Sequence, residues 1–135
     1  MSNRFKFRAW LPSWQEMNYS HAPGDVDWFF NGEHFILSVF YDDGFAGQMQ
    51  ELEGVVIMQS TGLKDKNGVE IFEGDILFHK LQGKCVVYYP FNESTASFGL
   101  KRVVNGFKNT LQDADRLYEV IGNIHENPEL LENKQ

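Results

Sequence analysis

Polar and apolar residues alternate at the start of the chain, in Arg4-Phe5-Lys6-Phe7-Arg8-Ala9-Trp10. A period of two residues is typical of a strand that buries one face. The pattern predicts that the apolar members point into the core, while Arg4, Lys6 and Arg8 form a basic row facing water. Gln15–Tyr19 is predicted as a short partner strand.

The next apolar segments predict a hairpin and a buried strand. Val26–Phe30 and His34–Tyr41 flank Asn31-Gly32, a dipeptide that favours the positive φ angles of a two-residue turn. Further along, the run Val55–Met58 predicts a strand buried on both faces. Turn residues dominate Thr61–Asp75 and predict a loop that contains only one short extended piece.

The second half of the chain predicts a small barrel. Its extended segments include Ile76–Lys80, Cys85–Tyr89, Ser97–Val104 and Tyr118–Ile124, and a helix is predicted over Thr110–Leu117. About five short strands with a helical turn before the last fit an SH3-like barrel, in which closure removes exposed edges.

The predicted fold class is mainly β with minor α structure. We expect one domain over residues 1–135, because the chain is long enough for one core without disulfides or metals. Within it we expect an N-terminal β subdomain (1–60), an SH3-like barrel (61–125) packed with the N-terminal strands, and an acidic tail (126–135). The 12 Phe, 5 Tyr and 3 Trp exceed the needs of one small core and predict a possible homo-oligomer interface.

The single cysteine, Cys85, excludes an internal disulfide and favours a reducing compartment. The apolar runs are far shorter than the roughly 20 residues of a spanning helix, and no signal core follows the basic N-terminus. The predicted location is therefore the cytoplasm, without a membrane partner.

The net charge of −7 disfavours general binding to nucleic acid, since that affinity comes mainly from Lys and Arg. Residues 31–60 carry five acids and no Lys or Arg. A local basic face is compatible with this balance, with interleaved aromatic residues that can stack on bases. The predicted nucleic-acid face comprises Lys80, Lys84, Lys101 and Arg102, and the interleaved rings are Tyr88, Tyr89, Phe91 and Phe98.

Three further patterns suggest a metal-binding or catalytic function, but their spacing or their local sequence does not support it. The segment from Asp65 to Glu70 alternates oxygen ligands, but its glycine and glutamate lie at the wrong positions for a calcium-binding EF-hand loop. Glu70, Glu73 and Asp75 are neighbours in sequence, whereas paired catalytic carboxylates face each other across a cleft. Cys85 has no local activating motif, although His79 is predicted on the neighbouring strand. We predict no catalytic, cofactor-binding or metal-binding residue.

Two long segments resemble the YopX family of phage and prophage proteins. Met58–Ile76, which includes Thr61-Gly62-Leu63-Lys64-Asp65-Lys66-Asn67-Gly68, is similar to the central signature of that family. Val120–Leu131 resembles its closing segment, and Phe5–Trp10 resembles its usual start. Ser60 stands where the family pattern has an aromatic residue. The resemblance implies a mainly β fold and a phage or prophage setting in a bacterial cell, and it implies no activity.

Together these observations predict a non-enzymatic protein-binding or assembly module. The alternatives are a small nucleic-acid-binding β-barrel protein and, less favoured, an unrecognised hydrolase.

Overall fold

The computed structural model describes residues 6–42, 44 and 47–132, and the described chain is mainly β. It contains two compact units, one formed by residues 6–58 and one whose described part is residues 59–132. The predictions for Arg4 and Phe5 lie outside the described residues.

The N-terminal unit begins with a hairpin of β1 (Phe7–Leu11) and β2 (Glu16–Tyr19), which confirms the predicted partner strand. β1 is buried more deeply than its alternation predicted. Arg8 is buried, as are Ala9, Trp10 and Leu11, so the prediction that Arg8 faces water is wrong. This strand is covered on both faces, and an alternating pattern alone does not reveal the second cover.

Three further strands form an antiparallel sheet in the order β3-β4-β5: β3 (Val26–Phe30), β4 (Phe35–Asp42) and β5 (Gly47–Glu51). The predicted hairpin is confirmed, but its two-residue turn is wrong. The register places Phe30 opposite Phe35, leaving a four-residue loop. The Asn31 side chain closes this loop, because its Oδ1 accepts the N–H groups of Glu33 and His34 at 2.9 and 3.0 Å.

The inner face of this sheet contributes to the core of the N-terminal unit. The fully buried members are Ala9, Leu11, Val26 and Leu37, and half-buried residues such as Trp28, Phe35 and Val39 pack against them. The strand β5 was not predicted, because Gln48, Gln50 and Glu51 give it no apolar pattern.

Strand β6 (Val56–Lys64) begins in the N-terminal unit and ends in the C-terminal unit. Val56 is exposed, so the prediction of a strand buried on both faces is wrong at this residue. The strand also continues through Thr61–Lys64, where turn residues predicted a loop. Thr61 explains part of this, because its Oγ1 donates a hydrogen bond to the Ile71 carbonyl at 2.8 Å.

The C-terminal unit contains β7 (Glu70–Phe72), which pairs with β6, and a five-stranded sheet. The sheet has the order β11-β10-β9-β8-β12 and curls into a half-barrel. Its strands are β8 (Asp75–His79), β9 (Gly83–Tyr88), β10 (Gly99–Arg102), β11 (Lys108–Thr110) and β12 (Tyr118–Asn123).

The helix α1 (Ala114–Leu117) precedes β12, as the barrel prediction required, but it is shorter than the predicted helix over Thr110–Leu117. Lys108–Thr110 pairs with β10 instead, and this strand was not predicted. β12 pairs with β8, and β11 and β12 are the two edge strands of the described sheet, so they do not pair with each other. Closure into an SH3-like barrel is therefore not confirmed and stays a prediction.

The core of the C-terminal unit lies between this sheet, β7 and α1. Its buried members are Ile71, Leu77, Cys85, Val87, Leu100, Ala114 and Tyr118. A short 3-10 helix, Pro128–Leu131, follows β12. None of the helices in the described ranges is long and apolar enough to cross a membrane.

Candidate functional site

The loop between β6 and β7 is built around the carboxylate of Asp65. Its Oδ1 accepts the backbone N–H groups of Asn67 and Val69, both at 2.8 Å, and its Oδ2 accepts that of Val120 in β12, also at 2.8 Å. The neighbouring Lys66 N–H donates to the Tyr118 carbonyl at 3.0 Å. A single buried side chain thereby joins the loop to a strand 55 residues further along the chain.

The environment of Asp65 keeps it ionised. Burial on its own raises the pKa of this carboxyl, but the N–H donors of Val120, Val69 and Asn67, together with the charge of Lys66, outweigh that effect. The pKa is consequently held below its usual value. Asp65 is a structural anion whose lone pairs are already directed at backbone donors.

The glycine of this loop adopts the conformation of a turn. Gly68 has a φ of 81°, a left-handed conformation that favours glycine, and its N–H donates to the Asp65 carbonyl at 3.0 Å. This is a closed turn rather than a cation-binding loop. In the ranges that the structure describes, no group of three or more His, Cys, Asp or Glu side chains is placed to hold a metal ion.

The acids that follow in the sequence are also structural. The Asp75 carboxylate is buried and accepts the N–H of Phe72, the last residue of β7, at 2.8 Å. Glu73 accepts the Gln59 N–H at 3.4 Å. Glu70 accepts a hydrogen bond from the buried Ser60 hydroxyl.

The closing segment has a similar construction around Asn123. Its Oδ1 accepts the N–H groups of His125 and Glu126 at 3.1 and 2.9 Å, and Asn127 Oδ1 accepts the Asn123 N–H at 3.1 Å. A Cβ on Gly122 would lie only 2.5 Å from Asn127 Oδ1. The Asn127 side chain therefore lies close against the Gly122 backbone, and the segment forms a cap at the end of β12.

Cys85 and His79 do not form an activated pair. Cys85 is 1% exposed within the apolar core, and burial raises the pKa of its thiol, although the charge of Arg102 acts in the opposite direction. Nδ1 of His79 accepts the N–H groups of Leu81 and Gln82 at 2.9 and 3.0 Å. The histidine closes the turn between β8 and β9, and the thiol lacks the open, electropositive setting of a nucleophile.

Three of the four predicted basic residues lie together. Lys80, Lys84 and Arg102 line an open groove of about 360 Å³, which we call the cationic groove. Exposed Phe78, Leu81 and Val104 also line it, as does Glu132. Lys101 lies instead in a neighbouring depression of about 340 Å³ that it shares with Arg102.

Some of this charge is engaged within the chain. Arg102 Nε donates to the Gln82 carbonyl at 3.0 Å, and Lys84 Nζ to the Glu132 carbonyl at 3.4 Å. The rings expected to stack on bases do not line the groove. Tyr89 packs on Phe98 with centroids 5.0 Å apart, and the Tyr88 hydroxyl donates to the Phe91 carbonyl at 3.0 Å.

A second surface, which sequence reasoning missed, lies on the side of the β3-β4-β5 sheet away from the core. Phe29 is opposite Ile36, and Phe40 is opposite Met49, so strand alternation places all four on one face. Phe29, Phe40 and Met49 are more than half exposed. The same parity adds three acids, and the complete outer sheet face comprises Asp27, Phe29, Ile36, Ser38, Phe40, Asp42, Met49 and Glu51.

Phe40 is held in place on this face by Gly47. A Cβ on Gly47 would overlap two carbons of the Phe40 ring, so the ring lies directly on the glycine backbone. An aromatic ring over a glycine on a neighbouring strand shields an otherwise bare part of a sheet. Phe40 thereby has a contact on the neighbouring strand although its side chain is 65% exposed.

The two units also differ in charge. Residues 6–58 contain eight Asp and Glu against two Lys and Arg, whereas residues 59–135 contain eleven against nine. Of the acids in the second unit, Asp65 and Asp75 are buried. The acidity of residues 31–60 and the surplus of aromatic residues were the available sequence signals for the outer sheet face. They did not locate it, because the polar strand β5 was not predicted.

These features define a small, mainly β protein in which the loop residues described above stabilise the fold. A family model described as YopX protein matches residues 6–132, and the chain belongs to the YopX family. It is also similar to the crystal structure of protein EF1440 from Enterococcus faecalis, with 32% sequence identity and a TM-score of 0.60. That match covers 94% of this chain and 97% of that chain. No curated protein matches the chain.

Proposed function

We propose that this protein is a non-enzymatic protein-binding module that acts through its outer sheet face. The observation that carries the proposal is a pair of apolar contacts on the outer face of the sheet, Phe29 with Ile36 and Phe40 with Met49. Phe29, Phe40 and Met49 are more than half exposed, and the other face of the sheet is the core. Exposed apolar side chains that are grouped among polar residues are typical of protein interaction sites.

The acids of the face define the chemistry of the partner. Asp27 and Glu51 flank Ser38 in the row that separates the two apolar pairs, and Asp42 lies at the end of β4. None of the residues of this face is Lys or Arg. A complementary partner carries basic side chains between and beside its apolar contacts, since opposite potentials across an interface favour docking in one orientation.

The rigid position of Phe40 makes it the expected anchor of the interface. A side chain that is already ordered loses little conformational entropy on binding, and aromatic residues are prominent among binding hot spots. The setting that we propose is the cytoplasm of a bacterial cell that carries a phage or prophage.

The test is affinity capture from such cells with three forms of the protein: wild type, Phe40→Ser and Phe107→Ser. Phe107 is an equally exposed phenylalanine in the other unit and provides the control. We expect a protein, identified by mass spectrometry, that wild type and Phe107→Ser retain under nuclease and that Phe40→Ser loses. Equal capture by all three forms, with folding confirmed by circular dichroism, would contradict the proposal.

A second candidate function is binding of single-stranded nucleic acid in the cationic groove. The observation that favours it is the grouping of Lys80, Lys84 and Arg102 beside exposed Phe78. Against it are the intrachain hydrogen bonds of Arg102 and Lys84 and the placement of the other rings. Binding of a fluorescent oligonucleotide that falls steeply with salt and is lost in Lys80→Glu/Arg102→Glu would support this candidate; no binding at low salt would discard it.

A further inference from the structure

The cationic groove has the properties that the partner of the outer sheet face requires. It presents exposed apolar side chains, of which Leu81 is 82% and Phe78 42% exposed, next to Lys80, Lys84 and Arg102. Glu132 also lines the groove, so its lining holds three bases and one acid. The outer sheet face presents exposed phenylalanines next to the three acids Asp27, Asp42 and Glu51. Each surface therefore supplies exposed apolar side chains and an excess of the charge that the other lacks.

We propose that the outer sheet face of one copy docks on the cationic groove of a second copy. This inference rests on the proposed function, since it names the partner of the same face. The charge argument selects this pairing over two outer sheet faces packed on each other, because such an arrangement brings acids against acids without a neutralising base. The same charge argument disfavours contact between two cationic grooves, because that contact would bring bases against bases.

The pairing is heterologous, because two different surfaces meet. In such an assembly each copy has one face and one groove available, so a dimer always retains an unoccupied surface of each kind. Association of this kind continues beyond the dimer as protein concentration rises, unlike that of an isologous dimer.

The turn that carries Leu81 is suited to a docking role. His79 accepts the N–H groups of Leu81 and Gln82, so the backbone of the turn is ordered while the Leu81 side chain projects into solvent. Arg102 Nε is bonded to the Gln82 carbonyl from the other side. An ordered turn with an exposed leucine offers contact area at a small entropic cost.

The experiment is sedimentation velocity on the full chain over a wide range of concentrations, with wild type, Phe40→Ser, Leu81→Glu and the control Phe107→Ser. Phe40→Ser has an intact groove, and Leu81→Glu has an intact face. We expect wild type and Phe107→Ser to associate beyond dimers, and each of the other variants to lose about tenfold or more in association constant. Circular dichroism and urea unfolding verify that the variants are folded.

The decisive experiment is sedimentation velocity on a mixture of Phe40→Ser and Leu81→Glu. The intact face of Leu81→Glu can dock on the intact groove of Phe40→Ser, so the mixture is expected to form a one-to-one dimer that grows no further. A mixture that stays monomeric, or a Leu81→Glu variant that associates like wild type, would overturn the heterologous pairing.

A wild-type protein that is monomeric at every concentration would overturn self-docking altogether. This outcome is distinct from failure of the proposed function, which is equal capture of cellular proteins by wild type and Phe40→Ser. If Phe40→Ser loses capture while the wild type is monomeric, the outer sheet face binds a different protein. That result refutes self-docking and leaves the proposed function standing.

Discussion

The two units of this protein use their acidic side chains in opposite ways. In the C-terminal unit, Asp65 and Asp75 are buried and accept backbone N–H groups of Asn67 and Phe72. In the N-terminal unit, Asp27, Asp42 and Glu51 are exposed on a sheet face beside Phe29 and Phe40. Carboxylates therefore stabilise loops in one unit and are exposed to solvent on a surface in the other.

The difference teaches where to look for function in this family. The segment Met58–Ile76 lies almost wholly in the C-terminal unit, and its side chains Thr61, Asp65 and Asp75 are engaged in hydrogen bonds within the chain. In the other unit, Phe29, Phe40 and Met49 are exposed on one face of the β3-β4-β5 sheet. We therefore interpret the contacts of the segment as structural and direct the tests of binding to the outer sheet face.

The largest expected effect comes from substituting the same residue type in each unit. Asp65→Asn replaces one of two accepting oxygens with an N–H₂ group, so at least one buried backbone donor loses its partner. The expected loss is about 2 to 3 kcal/mol in the free energy of unfolding. Asp27→Asn, on the outer sheet face, is expected to change it by less than about 0.5 kcal/mol.

Urea unfolding followed by circular dichroism measures both Asp variants. Equal destabilisation by Asp65→Asn and Asp27→Asn would remove the distinction between the buried and the surface carboxylate.

A second pair of substitutions compares the two glycines that lie under aromatic rings. A Cβ on Gly99, which is buried, would lie 2.7 Å from the Tyr88 ring, whose hydroxyl is anchored to the Phe91 carbonyl. Gly99→Ala is therefore expected to cost about 1 to 3 kcal/mol through overpacking.

Gly47→Ala displaces the ring of Phe40, which is free to rotate into solvent. It is expected to cost less than about 1 kcal/mol in stability and to weaken binding through the outer sheet face. Thermal unfolding and the capture assay on both variants check this. A Gly47→Ala protein that binds like wild type would show that the fixed ring is not needed.

The smallest expected effect is a difference in acid sensitivity. The pKa of Asp65 is lower in the folded chain than in the unfolded chain, so the stabilisation it gives is complete above about pH 4 and is lost as the pH falls through the folded value. Urea midpoints between about pH 3 and pH 7 should therefore fall less steeply on the acid side in Asp65→Asn than in wild type. Parallel curves for the two proteins would contradict the role assigned to this carboxylate.

Much of the fold followed from local patterns. The hairpin of β3 and β4, the strands β8, β9 and β12, and the helical turn before β12 were predicted, because each has apolar periodicity bounded by turn residues. The misses have physical causes. Met49 is the one large apolar residue of β5, Asn31 accepts two loop N–H groups with its side chain, and Lys108–Thr110 forms a strand through pairing with β10.

The candidate sites were less predictable than the fold. Composition indicated the acidic region and the aromatic surplus, but only the register of β4 with β5 places Phe40 beside Met49 and over Gly47. Similarly, Lys80, Lys84 and Arg102 were grouped from the sequence. The hydrogen bonds of Arg102 and Lys84 to backbone carbonyls, however, depend on the tertiary structure and could not be predicted.

The most direct test of the division between the units is site-specific photo-crosslinking in cells. A photoreactive phenylalanine analogue is placed at position 40 in one protein and at position 107 in another, and the crosslinked peptides are identified by mass spectrometry. The account predicts a specific protein adduct from position 40 and none from position 107, and an adduct to the peptide around Leu81 of a second copy would also locate the partner surface. An adduct from position 107 with none from position 40 would contradict the central claim that the outer sheet face is the binding surface.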